Sequence, residues 1–168
     1  MKLKIDQQGD QLVVDADGGA VDFELNVPSK VDVGLSVGSG NVSVAGVEGD
    51  LVFDLGSGDL KAQGGFSAVE GKLGMGNISI NGLMGRGKVK LGKGRVELAY
   101  SNKAEKGDLE ISTGMGDVDL LYPEKTQVDA KFSSGSGRFN CELENTPKAP
   151  FRVLMRSGIG NLSIKRYH

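Results

Sequence analysis

The chain has no tryptophan, one cysteine, one histidine, four prolines and only 5% aromatic residues. A lone Cys141 cannot close an internal disulfide, so no covalent staple holds this fold. The single histidine is the last residue, His168, which excludes histidine triads and histidine metal cages. No apolar run approaches the roughly 18 residues of a membrane span, and Met1-Lys2-Leu3-Lys4-Ile5-Asp6 lacks the apolar stretch of a secretory signal. These absences predict a soluble chain, either cytoplasmic or an ectodomain whose targeting segment or membrane tether lies upstream. Neither sign of charge is in excess: 20 basic and 22 acidic residues give a formal net charge of -2. That balance excludes a broad electrostatic footprint for nucleic acid or anionic lipid, although a local patch stays compatible with either.

What the chain has in abundance is glycine, 27 of 168 residues, well over twice the usual share of about 7%. The glycines are interleaved with Val, Leu and Ile rather than with proline or serine runs, which excludes collagen and flexible linkers. A repeated backbone turn remains. Aligned against itself, the chain resolves into elbows of the form apolar-Gly-x-Gly-polar-apolar-x-apolar, with Ser134 in one apolar slot. The elbow glycines are Gly38 and Gly40, Gly56 and Gly58, Gly74 and Gly76, Gly92 and Gly94, Gly114 and Gly116, Gly135 and Gly137, and Gly158 and Gly160. The first three intervals are 18 residues each, and the last three are 22, 21 and 23.

Strict alternation follows each elbow, as in Val42-Ser43-Val44, Ile78-Ser79-Ile80 and Leu162-Ser163-Ile164, and precedes several, as in Leu51-Val52-Phe53-Asp54-Leu55. Period two marks strands with one buried face. No apolar pattern persists at helical spacing, and glycine every four to nine residues would cost a helix about 1 kcal/mol each relative to alanine. The expected fold is therefore all-β with essentially no helix, a β-solenoid of about seven Gly-x-Gly repeats. Successive repeats should stack in register about 4.8 Å apart, because one unit cannot bury its apolar face alone. We expect a single repeat domain over 1–168, with N-terminal strands and a cap over 1–34. Regular 18-residue repeats follow over 35–99, then repeats with inserted corner loops over 100–168. Asn41, Asp59, Asn77, Asp117 and Asn161, just past the elbows, suit turns and side-chain stacking, and Arg95 and Arg138 interrupt that ladder.

Three segments carry a family resemblance: Val33-Gly34-Leu35-Ser36-Val37-Gly38-Ser39-Gly40-Asn41-Val42-Ser43-Val44, Gly46-Val47-Glu48-Gly49-Asp50-Leu51 and Leu55-Gly56-Ser57-Gly58-Asp59-Leu60. Through them the chain, from about Val21 to Ile164, resembles the bacterial glycine-rich adhesin-like domains, a family of unknown function. The resemblance implies a right-handed parallel β-helix and an extracytoplasmic or envelope-associated interaction module. The shared motif specifies a backbone path and contains no chemically reactive residue.

Motifs that imitate chemistry have simpler readings here. Asp59 and Asp117 directly follow the second elbow glycine, which is not the spacing of a calcium-binding β-roll. Gly82 to Lys88 imitates a phosphate loop as far as Gly-x4-Gly-Lys, yet Val89 stands where a magnesium-binding hydroxyl is needed. The sequons at Asn41, Asn77 and Asn161 share one repeat position and read as turn residues. Cys141 alternates with Phe139 and Leu143, a core pattern. Asp117 and Asp119 read as an outward strand face, with an acid-base pair as the alternative. Arg86, Lys88, Lys90, Lys93 and Arg95 form the densest basic stretch, but no aromatic is interleaved to stack on bases.

The informative irregularity lies eight residues beyond the first elbow glycine, where Gly46, Gly64 and Gly82 give way to Tyr100 and Tyr122. Insertions follow at Ser101–Lys106, Pro123–Lys125 and Glu144–Pro150. Insertions on one corner of a repeat protein are often its binding surface. Tyr100, Lys103, Tyr122 and Lys125 are accordingly the candidate binding residues, the alternative being tolerated loop length with the tyrosines packed beneath it. The functional expectation is a noncatalytic structural or interaction module, without metal or cofactor, that binds a protein, glycan or cell-envelope polymer rather than nucleic acid. A polysaccharide-acting β-helix enzyme and a self-associating scaffold are the alternatives. Without calcium-roll spacing, thermal unfolding is expected to be the same in calcium and in chelator, and a lower melting temperature in chelator would contradict this.

Overall fold

The computed structural model describes residues 2–8, 11–20, 23–26, 30 and 32–167, and among these there is no helix. Val21 and His168 lie outside the described residues. One twelve-stranded sheet winds along the chain: β1 Lys2–Gln8, β2 Gln11–Ala20, β3 Phe23–Asn26, β4 Asp32–Ser39, β5 Val42–Ser57 and β6 Leu60–Tyr100. It continues through β7 Gly107–Pro123, β8 Gln127–Ser136, β9 Phe139–Cys141, β10 Glu144–Asn145, β11 Phe151–Ile159 and β12 Leu162–Tyr167. The 41-residue β6 turns corners without leaving the ladder, because each rung stays hydrogen-bonded to its neighbours. Among the described residues every pairing is parallel except that of β1 with β2, which lays an antiparallel strand across the N-terminal end. The all-β solenoid expected from the alternation is the fold.

Alternation builds the core directly. Leu51, Phe53 and Leu55 before an elbow and Leu60 and Ala62 after it point inward and are buried, while Val52, Asp54 and Lys61 between them are exposed. Each buried Leu, Val or Phe stabilises the column by roughly 1.5–3 kcal/mol. Volume is matched between rungs as well: Gly71 stacks on Phe53, and a β-carbon there would lie 2.3 Å from the ring.

The elbows explain the glycine content by two separate constraints. In the regular repeats the second glycine needs a left-handed backbone: Gly58 has φ +128° and Gly76 φ +139°. The first glycine is required by contact rather than by φ. A β-carbon on Gly56 would sit 2.4 Å from the carbonyl oxygen of Gly38, and one on Gly74 2.4 Å from that of Gly56. On the second glycine the approach is closer still, 1.9 Å from Gly58 to the Gly40 oxygen. Each rung's elbow carbonyl thus occupies the place where the next rung's side chain would be.

The same contacts overturn the expectation that rungs stack in chain order throughout. Gly114 lies on Gly92, but it is Gly158 that lies on Gly114, and Gly135 on Gly158. Strand pairing agrees, with β11 between β7 and β8 and β12 between β7 and β9. The chain therefore leaves β7, builds the end rung with β8 and β9, and returns to insert β11 and β12 beneath it. Side-chain volume gives the reason. The inserted rung points Phe151, Val153, Met155, Leu162 and Ile164 inward, all buried, whereas the end rung offers Val128, Ala130, Phe132, Phe139 and Cys141. The better apolar set goes where it is covered on both sides, and Phe132 and Phe139 stack at the end, centroids 5.9 Å apart and partly exposed.

Polar ladders follow the revised order. Asp59 N donates to Asn41 Oδ1 at 3.2 Å and Asn77 N to Asp59 Oδ1 at 3.0 Å. Past the interruption at Arg95, Asn161 N donates to Asp117 Oδ1 at 3.0 Å and Arg138 N to Asn161 Oδ1 at 2.8 Å. A guanidinium accepts no hydrogen bond, so Arg138 suits the last place in this ladder. The apolar slot before the elbow is also polar in the inserted rung and its inner neighbour, where Thr113 Oγ1 donates to Ser157 Oγ at 2.9 Å.

Gly58→Ala meets both elbow constraints at once and is expected to lower unfolding stability by about 2–4 kcal/mol in denaturant titration. Gly38→Ala meets no atom within 4 Å and should stay within about 0.5 kcal/mol of the parent. Equal effects at the two positions would disprove the stacking constraint.

Candidate functional site

The inserted corner does not present its tyrosines. Tyr100 and Tyr122 are 1% and 0% exposed, so neither can be a contact surface, and the packed alternative is what the structure shows. The rings stack on each other with centroids 4.8 Å apart and planes 14° from parallel, one rung spacing. Phe151 meets both edge-on at 5.2 and 5.5 Å. In the regular repeats the third side of the coil is walled by Val47, Phe66 and Leu83. Where the loops are inserted, the two tyrosines fill the same interior, and a β-carbon on Gly107 would lie 2.7 Å from the Tyr100 ring.

Their hydroxyls differ. Tyr100 Oη donates to the Gly85 carbonyl at 3.1 Å, and Tyr167 Oη donates to the Tyr100 carbonyl. Tyr122 Oη is buried with no partner among the described residues. Burial pushes the ionisation of Tyr100 and Tyr122 well above the ordinary tyrosine range. Asp108 adds to the effect at Tyr100, as do Tyr100 and Cys141 at Tyr122. Tyr167 is raised by burial too. Of the four corner candidates only Lys103 and Lys125 are exposed, each on its own loop.

The other motifs fall into structural roles. Gly82 to Val89 lies inside β6, and the amides of Asn77 and Asn161 each donate from Nδ2 to the aspartate of the preceding rung, Asp59 and Asp117, at 3.1 and 3.0 Å. Cys141 is half-buried in the end rung, its thiol donating to the Leu143 carbonyl at 3.4 Å. Asp119 faces Arg95 Nε at 3.6 Å and Lys165 Nζ at 4.0 Å, and Asp117 faces Arg95 at 3.9 Å. Among the described residues no group of three His, Cys, Asp or Glu could hold a metal ion.

A large concavity lies elsewhere among the described residues, on the outward face of the strands that precede the elbows. It is a groove of about 970 Å³ crossing six rungs, with Pro147 and Lys148 of the returning loop at its margin. Two columns of side chains line it. In one, Arg152 stands between Asp108 and Asp129, and in the other Glu110 stands between Lys88 and Leu154. Val52 adds an apolar side chain that is 53% exposed. Charges of opposite sign alternate at the rung spacing over a largely apolar floor, an arrangement suited to an extended partner of mixed polarity. Sequence reasoning missed this site because its six segments are scattered between residues 50 and 154. The usable signal was the identity of outward residues at matched repeat positions, such as Val52, Glu70 and Lys88.

Comparison with known proteins adds one finding. The model of the family described as Toastrack DUF4097 matches residues 1–152. No curated protein and no solved structure matches the chain.

The buried tyrosines predict an alkaline limit. Unfolded tyrosines ionise near about pH 10, whereas the folded chain holds Tyr100 and Tyr122 neutral to higher pH. Their contribution is complete below about pH 10 and is lost as pH rises toward the folded values. Unfolding and tyrosinate absorbance should therefore appear together above about pH 10, and tyrosinate forming first in a folded chain would contradict this. Tyr122→Phe removes an unpartnered hydroxyl and should leave neutral-pH stability unchanged or raise it by up to about 1 kcal/mol, while flattening the alkaline loss.

Proposed function

The chain belongs to the Toastrack family DUF4097, a domain of unknown function, and we propose that it serves as a noncatalytic interaction module. The groove before the elbows receives a protein, glycan or cell-envelope polymer. One observation carries this reading: the groove is lined by outward side chains that the stack does not need. Glycine contacts, inward apolar residues and the Asn and Asp ladder hold the column, while Arg86, Lys88, Glu110 and Arg152 project from it, exposed. An adhesin-like role and an envelope location belong to the same proposal.

The polysaccharide-acting reading draws on the same groove, where carboxylates stand beside arginine and lysine. A general acid, however, is usually a carboxyl pushed toward neutrality by burial, and Asp108 and Glu110 are exposed. The alternating ladder instead favours recognition.

The test is a glycan array and pull-down with the parent, with Lys88→Glu/Arg152→Glu, and with Lys103→Ser/Lys125→Ser. Reversing the groove charges should weaken capture of a ligand by at least about tenfold with unchanged circular dichroism, while the loop variant should bind normally. The opposite pattern would return the site to the inserted corner. Release of reducing or unsaturated ends from a bound polysaccharide, abolished by Glu110→Gln, would favour the enzyme.

A further inference from the structure

The middle residue of each elbow stands at the apex of a corner, and in chain order these residues are Ser39, Ser57, Met75, Lys93, Met115, Ser136 and Ile159. Insertion of β11 beneath the end rung changes their neighbours. Ile159 lies beside Met115, Met115 beside Lys93, and Ser136 moves to the end. Three large apolar side chains thereby line one edge of the column, with Met75, Met115 and Ile159 at 60%, 48% and 57% exposure. The row spans three rung spacings, about 14 Å.

Cations flank this row. On the outward column just before the elbow, Lys72 and Lys90 follow each other at repeat spacing, and Arg156 lies beside Ser112 and Ser133. Lys93 sits within the row and Arg138 past the elbow of the end rung. All five are exposed, and none is within salt-bridge distance of a carboxylate among the described residues, unlike Arg95 with its two aspartates.

We propose that this elbow ridge docks on the surface of an anionic lipid bilayer. Apolar side chains at the crest with unpaired cations beside them are the pattern of an interfacial anchor, the crest entering the headgroup boundary and the cations meeting lipid phosphates. A row about 14 Å long on a convex edge is too narrow for the roughly 800 Å² per partner of a stable protein interface. A fluid surface moulds to such an edge, whereas a protein would need a matching trench. The proposal uses no residue that lines the groove, although Lys72, Lys90 and Arg156 stand on the same outward strand face.

The test is co-sedimentation with vesicles of equal parts phosphatidylglycerol and phosphatidylcholine, against vesicles of phosphatidylcholine alone. The parent should bind the anionic vesicles, less so as salt rises, and should bind the neutral ones at least about tenfold more weakly. Met75→Ser/Met115→Ser/Ile159→Ser and Lys72→Glu/Lys90→Glu/Arg156→Glu should each lose at least about tenfold with unchanged melting temperature, since all six side chains are exposed. Excess glycerol phosphate should not compete, which separates a bilayer from a free phosphate. Absence of vesicle binding overturns the proposal. So does full binding by the serine variant, or heparin binding that equals vesicle binding and survives the serine changes, which would mark a surface for soluble polyanions.

Discussion

The constraint on which the stack depends is between backbones: the elbow carbonyl of one rung lies where a β-carbon of the next would be, 1.9 Å from its ideal position at Gly58 and 1.7 Å at Gly76. Nothing but glycine fits there without moving the rungs apart. Once the elbows are seated the strands on either side meet at ladder distance, the alternation sends one side chain in two into the core, and Asn and Asp find the next rung's amide within reach. Hydrophobic burial supplies most of the stabilisation and excludes a one-residue slip, which would turn the apolar set outward, but a two-residue slip keeps the same face inside. The glycine contacts exclude that slip too, and they hold each rung in a single register.

That division of labour leaves the outer surface chemically free. Val52, Glu70, Lys88, Glu110, Leu154 and Lys131 occupy equivalent or neighbouring places on successive rungs, yet they range over apolar, acidic and basic side chains. The corner apices range from serine through methionine to lysine. A solenoid of this kind is a rack of addressable positions, and function is carried by what is placed on it. The buried tyrosines show the converse: a corner that lost its glycines recruited aromatic rings to fill the interior, and the added loop length lies outside them.

Much of the architecture could be read from the chain because it is repetitive and local. Glycine pairs at fixed spacing, period-two alternation and the Asn and Asp just past the elbows report directly on strands, corners and ladder. Two features escaped for physical reasons. Tyrosine suits an interface or a core equally well, and position in the repeat alone did not say that the rings of Tyr100 and Tyr122 would replace the wall built by Val47, Phe66 and Leu83. The inverted order of the last two rungs escaped because the elbow motif is the same in both. Only their inward residues differ, Ala130 and Cys141 against Val153 and Ile164, together with an arginine that cannot continue the ladder of side-chain acceptors. The groove depended on that order, since Arg152 and Leu154 enter it between residues more than twenty positions earlier in the chain.

The inversion also bears on how the molecule is made. A ribosome delivers Gln127–Cys141 before Phe151–Tyr167, yet the earlier segment belongs outside the later one. For a time the outer edge of β7 is exposed with the wrong partner nearest to it, one whose elbow glycines and strand pattern match well enough to pair. Completion then requires that this provisional pairing open, or that it never form, so that the last segment can enter from below. Up to Pro123 the column grows by simple addition in the direction of synthesis, and only its final step is an exchange. The one exchange is therefore placed at the C-terminal end of the column, where the segment that enters last lies between rungs that both precede it in the chain.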